Sequence, residues 1–116
     1  MKEKLSPELM RGSLDLMVLS ILTSGAKYGY SLQQTLREST DGLVDLKAGT
    51  MYPLLHRLED DKLIRHKWDD STGRRRKWYE LTAKGRRRVE LQAKQWLAYA
   101  DCIRRIVATV VDPKPA

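Results

Sequence analysis

A mainly α fold with a small β-hairpin, continued by one long helix, is what three features of the sequence predict. Apolar residues at helical spacing fill the first half of the chain. Two short strand-like segments then flank a polar, glycine-containing turn. A second run of helical periodicity extends well past the part that a compact core would use. With 116 residues there is room for one domain and one extra helix.

The elements follow in order. Leu14 to Leu22 is too apolar for a surface helix and reads as a buried central one. Ser24-Gly25 stops it, Gly25 being suited to a left-handed turn. Tyr28-Gly29-Tyr30-Ser31 opens a second helix, with either Ser31 as its cap or Gly29 as its first residue. Leu32 and Leu36 share one face of that helix, which ends at Ser39 to Gly42. An extended segment, Leu43 to Leu46, leads to a third helix from about Ala48 to Asp61. Met51, Leu54, Leu55 and Leu58 form its apolar face, and Pro53 is placed near its first turn, where a missing N–H costs little. The opposite face offers Lys47, Thr50, Tyr52, His56 and Arg57, a mixture suited to phosphate and base-edge contacts.

Leu63 to Trp68 and Lys77 to Leu81 read as strands, with the turn Asp69 to Arg76 between them. Arg74, Arg75, Arg76 and Lys77 put four consecutive cations at the far end of this hairpin. Thr82 caps the last helix, which runs to about Val110. Three helices followed by a basic hairpin is the order of a winged helix-turn-helix. The expected layout is a DNA-binding domain over 8–82, a dimerisation helix over 83–110 and a disordered tail over 111–116. In the last helix Val89, Ala93, Trp96, Leu97, Ala100, Ile103, Val107 and Val110 recur at steps of three and four. A stripe of that length needs a partner, and a second copy of the chain is the simplest one, with folding back on the same chain the alternative. The expected dimer interface comprises Ala93, Trp96, Leu97, Ala100, Ile103 and Val107, with Leu5, Leu9 and Met10 from the chain start.

Charge narrows the function. The formal net charge is +7, and residues 47–88 carry 13 basic against 6 acidic groups, so the whole excess lies in the middle third. A localised basic surface suggests a polyanion such as nucleic acid. Lys84, Arg86, Arg87 and Arg88, on the first turns of the last helix, read as a solvated face. One cysteine, Cys102, excludes an internal disulfide and fits a reducing cytoplasm. No apolar run approaches the roughly 18 residues that cross a bilayer. His56 and His66 stand ten positions apart with Cys102 far away, so no metal cluster is expected. No phosphate loop, nucleophile elbow or catalytic triad is legible, so neither a cofactor nor an enzymatic activity is expected. Trp68 and Trp78 read as packing residues of the strands.

Gly12-Ser-Leu-Asp-Leu-Met-Val-Leu-Ser-Ile-Leu22, Tyr28-Gly-Tyr30, Gly49-Thr-Met-Tyr-Pro53, Leu58-Glu59, Arg76-Lys-Trp-Tyr79 and Leu81-Thr82-Ala-Lys-Gly85, in this order, resemble the PadR family of transcriptional regulators. The resemblance covers about residues 10 to 90, and the single last helix is similar to the family's shorter branch. It implies a homodimeric repressor whose third helix enters the major groove while the wing touches the flanking backbone. By position the DNA-facing residues are then Tyr28, Tyr30, Ser31, Lys47, Thr50, Tyr52, His56, Arg57, Arg74, Arg75, Arg76 and Lys77. Two-fold symmetry implies an inverted-repeat operator in double-stranded DNA.

Two positions depart from the family pattern: Lys47 stands where Ser or Thr often caps the third helix, and Lys62 where Gly often ends it. In one multidrug-sensing part of the family, a tryptophan matching Trp96 lines a cavity where planar aromatic compounds stack. Trp96 is therefore either dimer core or part of an effector pocket with Leu9 and Leu16. Two other readings stay open: a sequence-indifferent nucleic-acid-binding winged helix, and a protein-interaction winged helix.

Overall fold

The computed structural model describes residues 12–113, so Leu5, Leu9 and Met10 and the end of the tail, 114–116, lie outside the described residues. Its elements are α1 (Leu14–Leu22), β1 (Lys27–Tyr28), α2 (Gly29–Ser39), α3 (Ala48–Asp60), β2 (Ile64–Asp69), β3 (Arg76–Leu81) and α4 (Ala83–Val111). The antiparallel sheet has the order β1-β3-β2. The core lies where α1, α2 and α3 meet this sheet: Val18, Leu19, Leu22, Leu32, Leu36, Met51, Leu54, Leu55, Leu58, Ile64, Tyr79 and Val89 are all buried. The predicted winged helix-turn-helix is the observed fold.

The differences from expectation are local and have physical reasons. β1 is a third strand that the sequence did not announce, because two residues are too few for an alternating signal; it pairs Lys27 with Tyr79 and Tyr28 with Trp78. Gly29 is the first residue of α2, with extended Tyr28 at the N-cap, so Ser31 lies inside the helix and is not the cap. Gly29 is buried because the Tyr52 ring closes over it; a β-carbon there would sit 2.8 Å from the Tyr52 hydroxyl. Pro53 is the sixth residue of α3, not a first-turn residue. Its missing N–H leaves the Gly49 carbonyl without its i+4 donor, at a position exposed to water. β3 begins at Arg76, one residue earlier than expected, so of the four cations only Arg74 and Arg75 belong to the turn.

The end of α3 and the start of α4 are locked together. Lys62 adopts φ +63°, and the Leu63 N–H donates to the Leu58 carbonyl at 3.0 Å, the six-to-one bond of a Schellman stop. A lysine accepts this left-handed geometry at a cost of about 1 kcal/mol. Thr82 then holds both sides of the joint. Its hydroxyl donates to the Lys62 carbonyl at 2.7 Å and accepts from the Gly85 N–H at 3.0 Å. Gly85 is obligatory, since an added β-carbon would lie 1.9 Å from the Leu63 carbonyl oxygen. The Thr-Ala-Lys-Gly spacing thus serves one purpose: it brings the first turn of α4 against the backbone that ends α3.

Beyond Val89 the long helix leaves the core. Its 29 residues span about 43 Å at the usual rise, and the described chain measures 65 × 34 × 21 Å. Trp96, Leu97, Ile103, Val107 and Val110 are all exposed along it. Val111 is its last residue and lies one position inside the expected tail.

Candidate nucleic-acid interface

The buried residues of α3 occupy one side, which leaves Gly49, Pro53, His56 and Asp60 facing directly outward, with Thr50 and Arg57 on one flank and Tyr52 on the other. Lys47, at the N-cap, is 79% exposed and reaches Asp45 Oδ2 at 3.6 Å. Its side chain makes no capping bond, so the first amides of α3 point outward with no side-chain acceptor from the cap residue. Asp45 is shared with Arg37 at 3.2 Å, and the Arg37 guanidinium is the main reason its carboxyl titrates below the usual range. Arg57 behaves differently from the other outward residues. Its Nη2 lies 2.6 Å from Asp15 Oδ1, so α1 holds this side chain to the flank of α3. That pairing was not legible in the sequence, because it joins positions 42 residues apart.

Tyr30, Tyr52, Arg76, Lys77 and Tyr28 line a single groove between the start of α2, α3 and β3. Tyr30 and Tyr52 are exposed there, and Ser31 is half-buried beside them on α2. The groove floor includes Tyr79, whose hydroxyl burial pushes up to about 12, with the Glu59 charge adding to the effect. Behind the floor, His66 Nδ1 is 2.7 Å from Glu59 Oε2, so His66 braces the hairpin against α3.

On the hairpin the two strand faces carry different aromatic supports. On the face turned toward α3, Trp68 lies opposite Lys77. The Arg75 guanidinium carbon is 4.2 Å and the Lys77 Nζ 5.4 Å from the Trp68 ring centre. On the other face, Tyr28 stacks on Trp78 at 4.2 Å, and the Arg76 guanidinium lies 4.5 Å above Tyr28. The Tyr28 hydroxyl donates to Asp69, which also accepts from the Ser71 N–H at 2.9 Å. These bonds, the Tyr28 bond first, hold the Asp69 carboxyl below its ordinary range and raise the Tyr28 phenol above its own. Trp78 is thus the packing residue expected. Trp68 is half-exposed and packs chiefly on cations. Further down the hairpin Arg65 and Lys67 share Glu80, at 2.7 and 3.3 Å.

A second concave region adjoins α4. Leu16 and Trp96 line it together, with Met17, Ile21, Leu36, Ala93 and Leu97, so two of the three expected effector-pocket residues meet. The third, Leu9, is outside the described residues. A further cleft beside Gly12 and Ser13 is lined by Trp96, Ala100, Ile103 and Val107, and the apolar stripe forms its wall. Among the described residues no group of three or more His, Cys, Asp or Glu side chains is placed to hold a metal. No helix among them is long and apolar enough to cross a membrane. Cys102 is exposed, and Arg105 Nη2 lies 3.5 Å from its sulfur.

Residues 18–91 match the family model described as the transcriptional regulator PadR-like family. A transcriptional regulator from Clostridium thermocellum superposes with a TM-score of 0.80 at 30% identity, over 89% of this chain and 98% of that one. A PadR family transcriptional regulator from Eggerthella lenta superposes at 0.75 with 34% identity, over 88% of each chain. An uncharacterised protein of Lysinibacillus sphaericus is 30% identical over 57 residues, which cover 49% of this chain. The match spans about half of that relative's length (52%).

Proposed function

The chain belongs to the PadR-like family of transcriptional regulators, not enzymes, and from that premise we propose a homodimeric, sequence-specific repressor acting in the cytoplasm on its own or a neighbouring promoter. The observation that carries this reading is the single groove in which Tyr28, Tyr30 and Tyr52 meet Arg76 and Lys77. Recognition helix and basic wing thereby present one continuous surface to a duplex. Lys47, Thr50, His56, Arg57 and Ser31 extend it along the major groove, with Arg74 and Arg75 at the wing tip on the flanking phosphates. Arg57 exchanges Asp15 for DNA on binding. The polar outer face of α3 disfavours a protein-interaction role, since the fully buried centres of protein interfaces are depleted in charge.

The exposed apolar stripe of α4 supports dimerisation through Ala93, Trp96, Leu97, Ala100, Ile103 and Val107, joined by Leu5, Leu9 and Met10. Two-fold symmetry then places the two α3 helices on an inverted repeat, with half-sites about 34 Å apart. A planar aromatic effector entering beside Trp96 and Leu16 would change that spacing and weaken operator binding.

Fluorescence anisotropy at physiological salt tests the reading. The probes are the duplex upstream of the protein's own gene and a scrambled duplex of equal composition. Binding to the native duplex about a thousandfold tighter is the expected result. Equal binding to both, collapsing with salt, would leave only the electrostatic term and make the protein a sequence-indifferent binder.

A further inference from the structure

We infer that Trp68 is a positioning residue for the wing cations: its half-exposed indole is the seat that holds Arg75 and Lys77 ready for the DNA backbone. This rests on the DNA-binding reading above, but on its backbone-contact part and not on any operator. Four adjacent cations repel one another, and an arginine or lysine carries rotamer entropy that a phosphate contact must overcome. Five cations elsewhere are steadied by carboxylates: Arg37 and Lys47 by Asp45, Arg57 by Asp15, Arg65 and Lys67 by Glu80. Each such carboxylate offsets one unit of the positive charge around it. Among the described residues, no carboxylate lies within ion-pair distance of Arg75 or Lys77; what lies there is the Trp68 ring, at 4.2 and 5.4 Å.

That substitution of ring for carboxylate has a specific consequence. An indole attracts a cation through its quadrupole and leaves the net charge in place. A guanidinium seated on a ring uses its π face, so its N–H edge stays available for the two-pronged bond to a phosphate. Trp68 is anchored for the task from below, since His66 packs edge-on at 5.9 Å and is itself bonded to Glu59 of α3. The seat is therefore referenced to the recognition helix through one short chain of contacts. Its 47% exposure, poor value for a packing tryptophan, is what a seat for solvent-facing cations requires.

The test compares Trp68→Leu, which keeps an apolar side chain but no ring, with Trp68→Tyr, which keeps a ring. Both are measured by anisotropy on a mixed-sequence duplex of about 30 base pairs over a range of salt. Thermal melting checks that each variant is folded. Trp68→Leu should lose about three- to fivefold in affinity and lower the salt slope by on the order of one, as one phosphate contact is lost. Trp68→Tyr should retain most of the parent affinity. In an Arg75→Ala, Lys77→Ala background, Trp68→Leu should cost nothing further, a result that a general structural role would not produce. The inference is overturned if Leu and Tyr behave alike, or if the Leu penalty persists without the two cations. A parent protein that binds no duplex at low salt overturns the DNA-binding reading itself, and the seat with it.

Discussion

Single side chains at the joint between α3 and the sheet do several things at once, and Tyr79 is the clearest instance. It is 3% exposed, pairs directly across the sheet with His66 and Lys27, and forms the floor of the groove. Burial favours its neutral phenol, which raises the folded value to about 12 from an ordinary 10.0. A group that holds its proton more tightly when folded contributes stability below the unfolded value and loses it above. Stability should therefore fall as pH rises from 10 to 12. The Tyr79→Phe variant should show a shallower fall over that window in pH-dependent denaturant melts, because position 79 then has no phenol to ionise. Equal slopes for parent and variant would mean that the buried hydroxyl is not the titrating group. Gly85 is equally constrained but silently so: sequence reading placed it in a motif, while only the 1.9 Å approach to Leu63 explains why no other residue fits.

At the scale of the element, α3 begins with an apparent defect. Lys47 occupies a cap position where a hydroxyl would satisfy an amide, and a cation there opposes the helix dipole. The structure leaves this cost unrelieved, with only an exposed 3.6 Å approach to Asp45. A phosphate at the same place would be attracted by both the open amides and the ammonium. Lys47→Thr should accordingly stabilise the domain by about 0.5–1 kcal/mol and weaken duplex binding several-fold. Melting temperature and anisotropy on the same preparation check the two effects. A variant that is stabilised and still binds as the parent does removes Lys47 from the interface. The hairpin is the complementary case, an element whose strands were placed to within one or two residues while its cation supports were not. Arg74 to Lys77 were visible as a run of charge; the rings beneath them come from positions 28 and 68, which no local pattern connects.

For the molecule as a whole, the long helix carries the proposed dimer. A single chain leaves Leu97, Ile103, Val107 and Val110 exposed and Trp96 half-exposed along a helix that extends past the core, and an apolar stripe of that kind favours a partner. Burying that stripe against a second copy removes the problem. An Ile103→Glu, Val107→Glu variant should sediment as a monomer at micromolar concentration while its domain core still melts cooperatively. A dimer that survives both charges would place the interface elsewhere. Operator affinity should drop steeply in the monomer, because two half-sites are then no longer held at one spacing.

The sequence by itself determined the class of fold and the position of nearly every element, since apolar periodicity, turn residues and the Thr82 cap are local signals read over a few residues. It also located the basic surface, because the charge excess is confined to residues 47–88, and the order of its motifs pointed to the family. Tertiary structure alone decided which partners those residues take. Arg57 is tied to Asp15, Tyr28 to Asp69 and Trp78, His66 to Glu59, and Arg75 and Lys77 to Trp68. The third strand belongs to the same group, for Lys27 and Tyr28 become a strand only where β3 offers them an edge. These pairings join distant segments and depend on how helices and sheet are stacked. Local patterning fixes each segment's conformation; only the packed core brings the segments within bonding distance.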